Sequence, residues 1–202
     1  MAQLADTLAQ RAVERSVADR HAEYVQEMQR VVDATYRVIA RTGSVDPPLR
    51  AVIAEAGLNT QAFYRYFQSK DELLLLLLDD GRRRLVGYLE HRMAKASGPA
   101  ERVRAWVEGV LAQASSSDVA MRTRPFVTNQ ARLAEQFPEE QQASVDLLVA
   151  LLTDAVGERG DAEAIYRLTF ATLLDHLSRG TRPASSEREE LVGFCLRGAR
   201  LS

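Results

Sequence analysis

Thr60, Gln61, Tyr64 and Arg65 are four hydrogen-bonding residues at a spacing that puts them on one arc of a helix. Their chemistry is recognition rather than bond breaking. A glutamine amide can pair with adenine N6 and N7 in a bidentate way. Hydroxyls and cations suit phosphate oxygens. Gln61 is therefore the expected base reader, with Tyr64, Tyr66 and Lys70 holding phosphates.

Short elements must position these side chains. The spacing predicts a helix from Leu49 to Ala56, stopped at Gly57, a residue that tolerates a left-handed C-terminal turn. Asn59 stands where a second helix, Thr60 to Phe67, needs its N-cap. Phe63 and Phe67 lie one turn apart and can bury together. Ser69-Lys70-Asp71-Glu72 opens a third helix with a cap and acids in its first turn. Two short helices about a glycine turn form a helix-turn-helix, whose second helix lies in the major groove of DNA. By spacing alone, an ordinary helical hairpin with a polar outer face fits equally well.

The string AGLNTQAFYRYFQSKDELL, Ala56 to Leu74, resembles the TetR family of bacterial transcriptional regulators. Gly57, Leu58, Asn59, Phe63, Tyr64, Tyr66, Phe67, Lys70 and Leu73 fall in register with its pattern. The resemblance is strong from Val25 to Leu78; beyond that it rests on length and helical character. It implies a DNA-binding head with Arg50, Asn59, Thr60, Gln61, Tyr64, Arg65, Tyr66 and Lys70 at the interface. It also implies a larger helical body that binds a small effector. One departure stands out: the family commonly has Thr or Ser near the start of the second helix to hold a phosphate, whereas this chain has Pro48 and Leu49. Arg50 is left to carry more of that contact.

The remainder of the chain agrees with an all-α protein. Of 202 residues, 46% are apolar, while Gly (11) and Pro (6) are scarce. No alternating stretch demands a strand. The single Cys195 excludes an internal disulfide, and no cysteine-based metal site, cofactor motif or catalytic constellation is expected. His21, His91 and His176 are isolated; Asp175 and His176, adjacent on a helix, point apart. No apolar run approaches the ~20 residues of a membrane span. A soluble cytoplasmic protein is the expectation. The net charge of −2 is unusual for a DNA binder. Between Ala22 and Lys70 six cations face five acids, so any favourable field must be local, from Arg41, Arg50, Arg65 and Lys70.

Residues 1–20 are polar and of mixed charge, an extension that either lengthens the first helix or stays disordered. Residues 21–78 make the expected head, with a first helix from Ala22 to Arg41, and residues 79–202 the ligand-binding and dimerisation body. The helix opened by Ser69 should reach about Ala96, with Leu73 to Leu78 buried on all sides. Arg82, Arg83 and Arg84 read as a solvated face. Further helices are expected from Pro99 to Ala114, in two pieces between Asp118 and Phe137, then from Glu139 to Val156, Ala162 to Ser178, and one near the end. For the pocket that the resemblance implies, the candidate liners are Tyr88, Met93, Trp106, Met121, Phe126 and Phe170, with Arg122, Arg124 or His176 as polar contacts. The helices from Glu139 to Ser178 carry doubled apolar stripes, one set available for a partner. Leu148, Leu152, Tyr166, Phe170, Leu173 and Leu177 are the expected dimer contacts. The expected function is a ligand-responsive repressor that binds a near-palindromic operator in double-stranded DNA as a homodimer. The alternatives are a helical interaction protein without DNA binding, or a ligand-binding helical protein.

Overall fold

The computed structural model describes the backbone of residues 2–44, 46–115 and 117–201, and their side chains except at 2–9, 11, 12, 117–119, 121, 122 and 124–128. Among the described residues every regular element is helical. The chain divides into two compact units, Met1–Thr42 with Pro47–Leu73, and Gly43–Asp46 with Leu74–Ser202.

The first unit, the head, contains α1 (Ala2–Thr42), α2 (Leu49–Glu55) and α3 (Thr60–Tyr66). α1 has no glycine or proline in 41 residues, so nothing in its sequence interrupts the hydrogen-bond ladder. It therefore begins far upstream of Ala22, and the extension is helical rather than a separate tail. Its described side chains from Val13 to Gln26 are exposed. Its later turns supply the core: Val31, Val32, Val38 and Ile39 are almost wholly buried where α1 packs on α2, and Val52 and Ile53 of α2 and Phe63 of α3 are buried too. Thr35, also buried, is satisfied because its hydroxyl donates to the Val31 carbonyl at 2.7 Å.

The second unit, the body, is built from α4 (Lys70–Met93, its first turn belonging to the head), α5 (Pro99–Leu111), α6 (Ser117–Gln136), α7 (Pro138–Val156), α8 (Arg159–Arg179) and α9 (Ser185–Gly198). α5 is its centre. Val103, Trp106, Val107, Val110 and Leu111 are fully buried, against residues of α7, α8 and α9. Gly109 lets α4 come close: a Cβ there would lie 2.6 Å from Leu89 Cδ2. α7 and α8 form a helical hairpin turned at Gly157, whose φ of +85° is costly for other residues.

Three sequence expectations change. Leu73, Leu74, Leu77 and Leu78 are buried, but Leu75 and Leu76 are only partly so, so the leucine run has an outer side. The segment 118–137 is one helix rather than two, with Pro125 inside it. α4 ends at Met93, three residues early: the Lys95 and Ala96 amides turn back to the Arg92 and Met93 carbonyls, and Ser97 N–H and Oγ–H then both donate to the Glu101 carboxylate ahead of α5.

Candidate functional site

The turn between α2 and α3 is fixed by backbone chemistry. Gly57 takes a φ of +70°, and the Leu58 amide reaches back to the Ile53 carbonyl at 3.1 Å, closing the end of α2. Asn59 then starts α3, its Oδ1 accepting from the Ala62 amide at 2.7 Å. Phe63 and Phe67 are 0% and 1% exposed and stack with ring centroids 5.0 Å apart. The buried side of α3 is thus anchored in the head core. Thr60, Gln61, Tyr64 and Arg65 are all exposed on the opposite arc, Tyr64 with its ring edge against Phe63. Asn59 is exposed as well, but its oxygen is committed to the cap.

Tyr66 is half-buried. Its ring packs 5.1 Å from Tyr24 of α1, and the Tyr24 hydroxyl donates to the Tyr66 carbonyl at 3.4 Å. The Arg65 guanidinium lies over the same ring at 5.9 Å. Lys70 is half-buried in the first turn of α4. Ser69 Oγ accepts there from the Glu72 amide and the Glu72 carboxylate accepts from the Gln68 amide. Arg50 is exposed at the second position of α2, which follows Pro48 without a side-chain cap.

The local charge differs from the sequence expectation. Arg41 does not stand free near the motif: Glu55 accepts from Arg41 at 2.7 Å and from Arg37 at 2.9 Å, clamping α2 to α1. These two guanidiniums hold the Glu55 carboxyl below its ordinary range. Its contribution is therefore fully present above the unfolded-state value, ~4.3, and fades as pH falls through the lower folded one. Glu55→Gln should lower the melting temperature at pH 7. The gap to wild type should close in acid, which thermal melts from pH 7 to pH 2 will check.

The body contains a cavity of about 670 Å³ including its mouth, lined mainly by Leu78, Arg82, Leu85, Tyr166, Phe170 and Leu173. Of the four described side chains among the six liners named from sequence, Phe170 borders it and Tyr88, Met93 and Trp106 do not. Trp106 sits one layer behind, its ring 6.2 Å from Phe170 and 6.4 Å from Tyr166. Met93 is core, and Tyr88 turns outward, accepting from Arg92 at 3.1 Å. Met121, Phe126, Arg122 and Arg124 lie outside the described side chains. His176 is held elsewhere, by Thr181 Oγ1 at 2.7 Å and Glu187 at 3.0 Å. Arg82 was missed because it heads a run of three arginines. The usable signal was its place between Leu78 and Leu85, at i+4 and i−3 on one helical stripe.

The side chains named for a partner are also used within the chain. Leu148, Leu152, Leu173 and Leu177 are at most 2% exposed, and Tyr166 and Phe170 are half-buried at the cavity. Large apolar groups left outside are Leu168 (36% exposed) and Phe194 (61%), which share a groove between α8 and α9, and Leu147 of α7. Cys195, beneath that groove, has its thiol pushed up to about 11 by burial, which disfavours the thiolate. Among the described residues no acidic, histidine or cysteine cluster could hold a metal, and no helix is long and apolar enough to cross a membrane.

Residues 31–77 match the model of the bacterial regulatory proteins of the tetR family. No curated protein matches the chain in sequence. Solved structures share its fold over most of both chains. A TetR transcription regulator from Haloarcula marismortui is 16% identical over 87% of this chain and 97% of its own, with a TM-score of 0.66. Salmonella enterica GusR is 15% identical over 87% and 96%, at 0.62. The transcriptional regulator FadR of Bacillus subtilis, solved in complex with stearoyl-CoA, is 16% identical over 85% and 95%, at 0.54. The match to the tetR family model is thus confined to residues 31–77, and over most of its length the chain shares the fold of the solved TetR transcription regulator.

Proposed function

We propose that this protein is a cytoplasmic transcriptional repressor: a homodimer that holds a near-palindromic operator through α3 and releases it when a small molecule enters the body cavity. The observation that carries the reading is the division of α3. Phe63 and Phe67 fix one side in the core, and Thr60, Gln61, Tyr64 and Arg65 present donors and acceptors on the other. Gln61, exposed in the first turn, reads a base; Tyr64, Tyr66, Arg50 and Lys70 hold phosphates. The effector reading is supported by the cavity and by the stearoyl-CoA bound to FadR, a protein of the same fold. α4 links the two events, since it begins with Lys70 in the head and carries Leu78, Arg82 and Leu85 of the cavity. An effector that binds the DNA-free form more tightly lowers operator affinity by the same factor, typically about 5–150-fold.

The test is selection of bound sequences from a random duplex pool, which should return an inverted repeat. Gln61→Ala should relax preference at one position of each half-site and cost about 1–3 kcal/mol. Lys70→Ala should weaken all sequences alike and reduce the slope of log affinity against log salt by about one. An unchanged selected motif in Gln61→Ala removes it as the base reader. A pool with no enrichment leaves a helical interaction protein without DNA binding. That alternative is favoured by the Arg37–Glu55–Arg41 clamp and the absent hydroxyl at Pro48.

A further inference from the structure

Among the described residues the cavity wall carries one charge, and that charge is incompletely used. Arg82 sits on α4 between Leu78 and Leu85, both cavity residues. Its Nη2 donates to Gln141 Oε1 of α7 at 2.8 Å, while its Nη1 is buried without a hydrogen-bond partner. No carboxylate among the described residues pairs with it. Asp79 acts on Arg82 through its field and is itself bonded to Arg83 at 2.7 Å. Burial lowers the Arg82 pKa from its ordinary value, which records the hydration the guanidinium has lost, yet the group stays cationic. A buried donor on a cation with no acceptor is costly, and such groups in a cavity wall mark where a partner belongs.

The other walls set the rest of the ligand. Leu78, Leu85, Leu173 and Phe170 offer only apolar surface. Tyr166 and Phe170 stack with centroids 4.5 Å apart and give one flat aromatic side. Burial raises the Tyr166 pKa, so its hydroxyl remains a neutral donor near the guanidinium. The other polar liners, Gln113, Thr123 and Gln130, are neutral, so the described wall offers one positive charge, which balances a single carboxylate but not the roughly −1.5 to −2 of a phosphate ester. We propose that the cavity takes an apolar molecule ending in a single carboxylate, which binds the Arg82 guanidinium and gives it the acceptor it lacks, while its hydrocarbon lies against Leu78, Leu85 and the Tyr166–Phe170 pair. This rests on the reading of the cavity as the effector site, and it names the effector's chemical class.

The chain's one tryptophan reports occupancy, since Trp106 touches the aromatic wall from behind. The full-length protein is titrated with decanoate and decan-1-ol, and with 2-naphthoate and 2-naphthylmethanol, following Trp106 fluorescence and confirming affinities by calorimetry. In at least one pair the acid should bind about 10–150-fold more tightly than its alcohol, the range of a charge-assisted hydrogen bond. Arg82→Gln should bring that ratio near one, and Arg82→Lys, which keeps the charge without the planar fork, should restore part of it. Equal binding of acid and alcohol in both pairs, no binding in either, or an unchanged ratio in a folded Arg82→Gln protein would overturn the assignment. The wild-type ratio alone decides if the variants do not fold. Operator affinity is measured on the same samples. Acid binding that leaves DNA affinity unchanged sinks the repressor coupling and keeps the ligand class; DNA binding without acid binding sinks the ligand class alone.

Discussion

Phe63→Ala should cost the head about 3–5 kcal/mol and abolish sequence-selective DNA binding, although Phe63 itself is buried and is not proposed to meet DNA. Phe63 is wholly buried, stacked on Phe67 at 5.0 Å and edge-on to Tyr64 at 5.4 Å. Truncation removes the ring from both contacts and leaves a cavity in a unit with only three helices and the first turn of a fourth. A small core cannot repack around such a loss, because few other buried groups are available to move in. α3 has seven residues and one side-chain cap, too short to persist without that anchor. Two measurements check this. Hydrogen exchange should show the amides of α2 and α3 losing protection while those of α5 and α8 keep theirs. Operator affinity should fall to the nonspecific level, whereas Phe63→Leu should retain most of it. Selective binding by Phe63→Ala at wild-type strength would mean that α3 is held in some other way.

Charging the groove between α8 and α9 should separate the proposed dimer. In the double variant Leu168→Glu and Phe194→Glu, four like charges would meet across a two-fold axis where wild type presents two leucines and two phenylalanines. Both side chains are exposed in the single chain, so the body should fold, as circular dichroism will show. Sedimentation at micromolar concentration should give a dimer for wild type and a monomer for the variant. Operator affinity should drop by about 10²–10⁴-fold, because each head then binds its half-site without the effective concentration supplied by its twin. A charge at Leu148 tests something else: that residue is wholly buried among the helices of its own chain, and Leu148→Glu should unfold the body. Wild type sedimenting as a stable monomer would defeat the proposal, and a variant that stays dimeric would move the interface to another face, such as that of Leu147.

What the sequence by itself determined is what its near neighbours enforce. Gly57, Leu58 and Asn59 specify a left-handed turn and a cap within three residues, and both are present as read. Phe63 and Phe67 must share a side, because the helical repeat puts them one turn apart. That in turn leaves Thr60, Gln61, Tyr64 and Arg65 together outside. The same local logic, scarce glycine and proline among strong helix formers, made the all-helical class legible. Competition between faces and between distant partners was decided only in the tertiary structure. α7 is apolar at both Leu147 and Leu148, and periodicity cannot say which of two stripes meets α5 and α8; packing buries Leu148 and leaves Leu147 half exposed. Arg82, Arg83 and Arg84 are alike as residues, yet Arg83 and Arg84 pair with acids four residues earlier on their own helix, while Arg82 turns inward to Gln141, 59 positions away. Arg41 likewise meets Glu55 across 14 positions. A hydrogen bond or buried contact between residues far apart in sequence depends on how whole helices are brought together, and no spacing within one helix encodes that choice.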